Sequence, residues 1–154
     1  MTYFEDLSSY YGDPYASRNI LAVGWLERGR AYQKGAVEEE VVAALVKLLV
    51  DPWQPAVAGG WHACSFCRFS GGPGMLVYKG TKIRMGSANL YVPGDQCVYV
   101  TPSLIAHYMD AHEYAPPQPF CQALLACPPM RSMAYFRALL ASNEGRFLVR
   151  LSRR

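Results

Sequence analysis

An α+β fold is predicted for this chain of 154 residues by three patterns. Apolar residues recur at helical spacing in one stretch and near its C-terminal end, whereas residues 75–100 break into short β-rich runs divided by turn residues. Cysteines and histidines at ligand spacing flank those runs, so the layers can be clipped together. The length suits one domain, read as 1–154, and 51% hydrophobic residues suffice for a real core.

In order along the chain, Tyr10 to Pro14 marks a turn-rich entry. Asn19 to Leu26 is a short apolar run and reads as a buried strand. Ala36 to Val50 reads as a helix: Glu38, Glu39 and Glu40 suit the positive end of the helix dipole. Val41, Leu45, Leu48 and Leu49 form its apolar face, and Asp51-Pro52 stops it. Met75–Lys79, Lys82–Met85, Asn89–Val92 and Cys97–Val100 read as a small antiparallel meander, with turns at Gly80-Thr81 and Pro93-Gly94-Asp95. Thr101-Pro102 is expected to cap a helix running to Ala111. Two shorter helices follow, around Phe120–Ala126 and Ser132–Ala141, the second ended by Asn143-Glu144-Gly145. Alternation of Phe147, Val149 and Leu151 then suggests a last strand.

Cys64-Ser65-Phe66-Cys67 can turn two sulfurs onto one ion, and the glycine pairs Gly59-Gly60 and Gly71-Gly72 permit tight paths on either side. His107 and His112 complete a Cys2His2 zinc set. On a straight helix these histidines stand about 140° apart. They reach one ion only if the last turn loosens, and the approach to Pro116-Pro117 supplies a reason for it to do so. His62 is an alternative ligand or an outer support for the knuckle. A redox dithiol and unliganded thiols remain competing readings of the pair. The 39 residues between Cys67 and His107 exceed the roughly 12–15 of a DNA-reading finger. A whole meander fits in that gap, so the site is expected to clip strands to a helix. Four protein ligands leave no position for substrate, which makes the zinc structural. Were a position open, Asp110 or Glu113 would be the acid or base of a metal-dependent enzyme. No phosphate-binding glycine loop, HExxH or GxSxG is present.

Charge is uneven. Residues 1–113 carry nine Lys/Arg against eleven Asp/Glu, whereas residues 114–154 carry six arginines against Glu144 alone. Arg146, Arg150, Arg153 and Arg154 crowd the end, either as a solvated tail or as a patch for nucleic acid or an acidic protein. The start is already acidic, and no run of 18 apolar residues occurs, so a reducing cytoplasm is expected. Cys97, Cys121 and Cys127 then read as small buried hydrophobes.

Tyr3-Phe4-Glu5-Asp6-Leu7-Ser8, Val23 to Gly29, and Gly60-Trp61-His62-Ala63-Cys64-Ser65-Phe66-Cys67 together resemble a bacterial family of domains of unknown function. Gly86-Ser87-Ala88, Val92-Pro93-Gly94, Tyr99 to Pro102 and His107-Tyr108 continue the resemblance, which covers about residues 3–120. It implies a bacterial source, a cytoplasmic domain and the Cys/His metal set, and no activity. It also draws interest to Trp25, Arg28 and Gly29, as a binding edge or as fold-forming residues. The leading functional expectation is a non-enzymatic protein-binding module, such as a regulator or an immunity protein that neutralises a toxin. Nucleic-acid binding through the basic tail, with Arg150, Arg153 and Arg154, is the second, and a metal-dependent enzyme is the third.

Overall fold

The computed structural model describes residues 3–10, 19–56, 62–67 and 74–153. The Tyr11–Pro14 part of the entry turn, Gly59 to Trp61, Gly71-Gly72 and Arg154 lie outside the described residues. The fold is α+β, with elements β1 (Ile20–Ala22), α1 (Glu39–Leu49), β2 (Met75–Tyr78), β3 (Thr81–Arg84), β4 (Asn89–Pro93), β5 (Val98–Pro102), α2 (Ile105–Ala111), α3 (Gln118–Ala126), α4 (Met133–Leu140) and α5 (Asn143–Leu151). Among the described residues, no helix is long and apolar enough to cross a membrane.

The expected single meander is instead two sheets. β2 and β3 form a separate antiparallel hairpin. β4 and β5 pair antiparallel, and β1 adds to β5 in parallel, in the order β1-β5-β4. A parallel pair needs a long crossover. Here α1 and the β2–β3 hairpin lie within it, a contact too distant in sequence to be seen as local patterning. The N-terminal segment lies along the other edge of β1, with Leu7 and Tyr10 donating to Ala22 and Ile20 carbonyls.

Strand alternation divides the core into two clusters. Leu90, Val92 and Tyr99 belong to the cluster with Leu45, Leu49, Phe120 and Leu124 from α1 and α3. Tyr91, Val98 and Val100 belong to the other, with Phe4, Trp25, Tyr135, Leu139 and Leu148. The sheet is therefore covered on one face by α1 and α3 and on the other by α4 and α5.

Two local readings are corrected. Thr101-Pro102 ends β5, paired with Leu90 and Asn89, and α2 begins three residues later. The tail is a helix, not a strand. Ser142 caps it by accepting from the Gly145 N–H, so Asn143-Glu144-Gly145 opens a helix rather than closing one. Gly145, Leu148 and Val149 are then buried on one face, as 3.6-residue spacing demands. A Cβ on Gly145 would lie 1.7 Å from the Leu139 carbonyl oxygen, so α5 docks on α4 only because that side chain is absent.

Candidate metal centre

The cysteine segment is held at both ends by the backbone around it. The His62 N–H donates to the Gly86 carbonyl at 2.6 Å, and the Ser65 hydroxyl accepts from the Arg28 N–H at 2.9 Å. The backbone N–H groups of Phe66 and Cys67 fold back onto the Cys64 sulfur. Such amides stabilise a thiolate by aiming positive dipoles at it.

The histidines come from α2 and its end. His107 lies within the helix, whereas His112 is its C-cap, with φ −124° and ψ 12°, and Glu113 follows at φ 57°. The loosening expected at this end therefore occurs at His112. It brings the two rings to 5.0 Å between centroids, nearly perpendicular. The Tyr32 hydroxyl holds the turn by donating to the His112 carbonyl at 2.9 Å.

Cys64, Cys67, His107 and His112 then meet, with one ligand atom from each and all four within 4.8 Å of one another. Cys64 Sγ lies 3.3 Å from His112 Nε2, and Cys67 Sγ lies 3.2 Å from His107 Nε2 and 3.7 Å from His112 Nε2. Bond lengths of about 2.3 Å to sulfur and 2.0–2.1 Å to nitrogen put tetrahedral S and N ligands about 3.5 Å apart. The observed edges bracket that value, so the group could hold a metal ion.

The electrostatics suit ligands that bind as thiolate and neutral imidazole. Burial lowers the pKa of His107 and of His112, reinforced for His107 by the other ring and for His112 by Lys34, so both rings favour the neutral form. Burial raises the Cys64 thiol, and the Cys67 thiol beside it adds to the rise. Without a cation that sulfur holds its proton; a bound metal would displace it. Phe66 packs 5.0 Å from the His112 ring and 6.1 Å from Tyr108, which walls the group with aromatic carbon. The Tyr108 hydroxyl is buried with no hydrogen-bond partner among the described residues.

The remaining candidate residues are placed as follows. His62 is not in the four-residue group; its ring packs edge-on against Trp25 at 5.6 Å. Trp25 is 2% exposed and donates its indole N–H to the Val100 carbonyl at 3.0 Å, so it lies in the core rather than at a surface edge. Arg28 is exposed beside the knuckle, and Arg150 and Arg153 are exposed at the end of the chain. Cys97, Cys121 and Cys127 are free thiols away from the group; burial alone pushes Cys127 up to about 12.

Asp6 is a residue that sequence reasoning missed. One carboxylate oxygen accepts from the Gly24 N–H at 2.9 Å and the other from the Tyr114 hydroxyl at 2.8 Å. It pins the N-terminal segment to the turn after β1 and to the residue two beyond His112. A Glu-Asp pair in a polar entry carries no local sign of that burial.

The sequence profile of a family described as a domain of unknown function, DUF7919, matches residues 2–125, and the chain belongs to that family. No curated protein and no solved structure matches the chain.

Proposed function

We propose that this DUF7919 member is a protein-binding module whose fold is clipped by one structural zinc ion. The carrying observation is the closed ligand group: four ligand atoms from Cys64, Cys67, His107 and His112 lie within 4.8 Å. All four positions of a tetrahedral ion are then filled by the chain, which supports a role in holding the fold rather than in activating water. Two sulfurs and two imidazole nitrogens favour zinc over magnesium or calcium, which take oxygen ligands. The ion would join the 62–67 segment to α2 and so brace the surface that α2 presents. The test is a native pull-down from the source cell with the untagged, metal-replete chain. A stoichiometric protein partner, released when the metal is stripped, is expected. A chain that retains no protein under any condition would end the binding reading.

A second reading, nucleic-acid binding, is favoured by one observation. The tail is a helix, so Arg146 and Arg150 fall about one turn apart on α5, both exposed, and Arg153 is exposed just beyond its end. Three phosphate contacts predict a log–log salt slope of about −2.7 for duplex DNA. Absence of binding to labelled DNA and RNA at low salt would remove it.

A further inference from the structure

A cavity of about 710 Å³ opens beside the metal centre, between α1, α2 and β2. That volume lies in the range of ligand-binding pockets, about 300–1,000 Å³. Its floor is apolar, with Val42, Leu45 and Val46 from α1, Met109 from α2 and Leu76 from β2. Asp110 and Glu113 stand at its mouth, both exposed. Among the described residues neither forms an ion pair or a side-chain hydrogen bond. Among the described residues Lys34 is the one cationic residue lining the cavity, and its ammonium group lies over the Tyr32 ring, 5.5 Å from the centroid. The mouth thus presents an excess of negative charge over an apolar interior.

The wall formed by β2 adds a different kind of recognition. Among the described residues β2 pairs with β3 alone, through a two-residue turn at Lys79 and Gly80 with φ of 45° and 83°. Both residues at positive φ fit the tight hairpin turn whose twist matches its strands. In such a hairpin Tyr78 and Thr81 close the ladder. Alternation then turns the N–H and C=O of Val77 and Met75 away from β3. Both residues are exposed, 59% and 51%. Leu76, Val77 and Tyr78 line the cavity in succession and no β3 residue does, so the unpaired edge borders the cavity. The ion pair of Lys79 with Glu39 ties the hairpin to the start of α1.

We propose that this edge and cavity bind an extended segment of the partner protein. That segment would pair with β2, place a large apolar side chain in the cavity, and set a lysine or arginine against Asp110 and Glu113. Main-chain pairing gives affinity to such a strand, and the pocket and the acidic mouth give specificity. The inference rests on the protein-binding reading and names where it operates. It also assigns a purpose to the metal, because α2 carries both His107 and Asp110, and Glu113 directly follows His112.

The test is panning of a random heptapeptide phage library on the full, metal-replete chain, followed by titration of the synthetic capped winner. Enriched sequences should pair a large apolar residue with Lys or Arg one or two positions away. N-methylation along the peptide should weaken binding at alternate residues only. Asp110→Asn with Glu113→Gln, both at exposed positions, should weaken it roughly tenfold and flatten its salt dependence. Failure to enrich, enrichment without basic residues, or indifference to the double variant would overturn the proposal. So would an N-methyl scan without alternation, which would mean a pocket ligand with no strand pairing. A stable dimer in sedimentation that Val77→Lys dissolves would assign the edge to a second copy of the chain instead. If a native partner is captured equally by the double variant, this surface is wrong while the protein-binding reading stands.

Discussion

The two faces of the β1-β5-β4 sheet are covered by different means. On one face, α1 and α3 pack beside a centre whose ligands lie up to 48 residues apart, Cys64 and His112. On the other, α4 and α5 are joined by two residues and lock through a serine cap and a backbone contact at Gly145. Distant segments lose more chain entropy when brought together than adjacent ones. A cation bound only by the assembled Cys64, Cys67, His107 and His112 group would offset that cost on the first face. The second face needs no such device, since its helical hairpin forms from neighbouring residues. The family match ends at residue 125, before α4, so the candidate metal centre lies within the matched domain and the helical hairpin lies beyond it.

The sharpest way to break this contrast is Cys64→Ser. It should abolish metal retention and lower the melting temperature by about 10 °C or more, as a loss of several kcal/mol does in a domain of this size. Cys127→Ser, away from the ligand group, should keep the metal in full. Equal metal in wild type and Cys64→Ser would refute the ligand assignment.

Gly145→Ala acts on the opposite face. The new Cβ must displace the Leu139 carbonyl, at a cost of about 3 kcal/mol in denaturant titrations. Metal content should stay unchanged, and a parallel loss of metal would show that the faces are not independent. Tyr135→Phe is a milder probe there. The hydroxyl donates to the Tyr91 carbonyl at 2.7 Å in a fully buried site, so its loss should cost about 1–2 kcal/mol.

The smallest expected effect is the pH dependence set by Asp6. Burial raises its pKa, opposed by the hydrogen bonds from Gly24 and Tyr114. Between the ordinary carboxylate range and that raised value, the folded state therefore holds a proton that the unfolded chain has released. Its contribution to stability is full below the ordinary carboxylate range and falls as pH rises through the raised value. Asp6→Asn should flatten stability against pH across that window; an unchanged slope would show that Asp6 does not set it.

The candidate ligand group was legible in the sequence because its chemistry is carried by residue type and spacing. Even the difficulty of the two histidines was legible, as an angular conflict on a helix, and the structure resolves it by taking His112 out of helical geometry. Helices α1, α3 and α4 follow from apolar periodicity and stop signals. Pairings between distant segments were not legible: the parallel β1–β5 ladder and the Asp6–Tyr114 bond are tertiary contacts with no local sign. The tail was misread because Phe147, Val149 and Leu151 alternate while the burial follows Gly145, Leu148 and Val149. The informative signal was the serine three residues before Gly145, which caps the helix. Trp25, readable from sequence as a binding edge or as a fold-forming residue, is the second, buried in the core.

The most direct test of the account is metal analysis by mass spectrometry of the untagged protein, with absorption spectra after cobalt substitution. One zinc per chain, and a cobalt spectrum of a tetrahedral site with two sulfur ligands, is the predicted result. Protein that folds fully without metal, or cobalt bound with an exchangeable water, would contradict a closed structural centre.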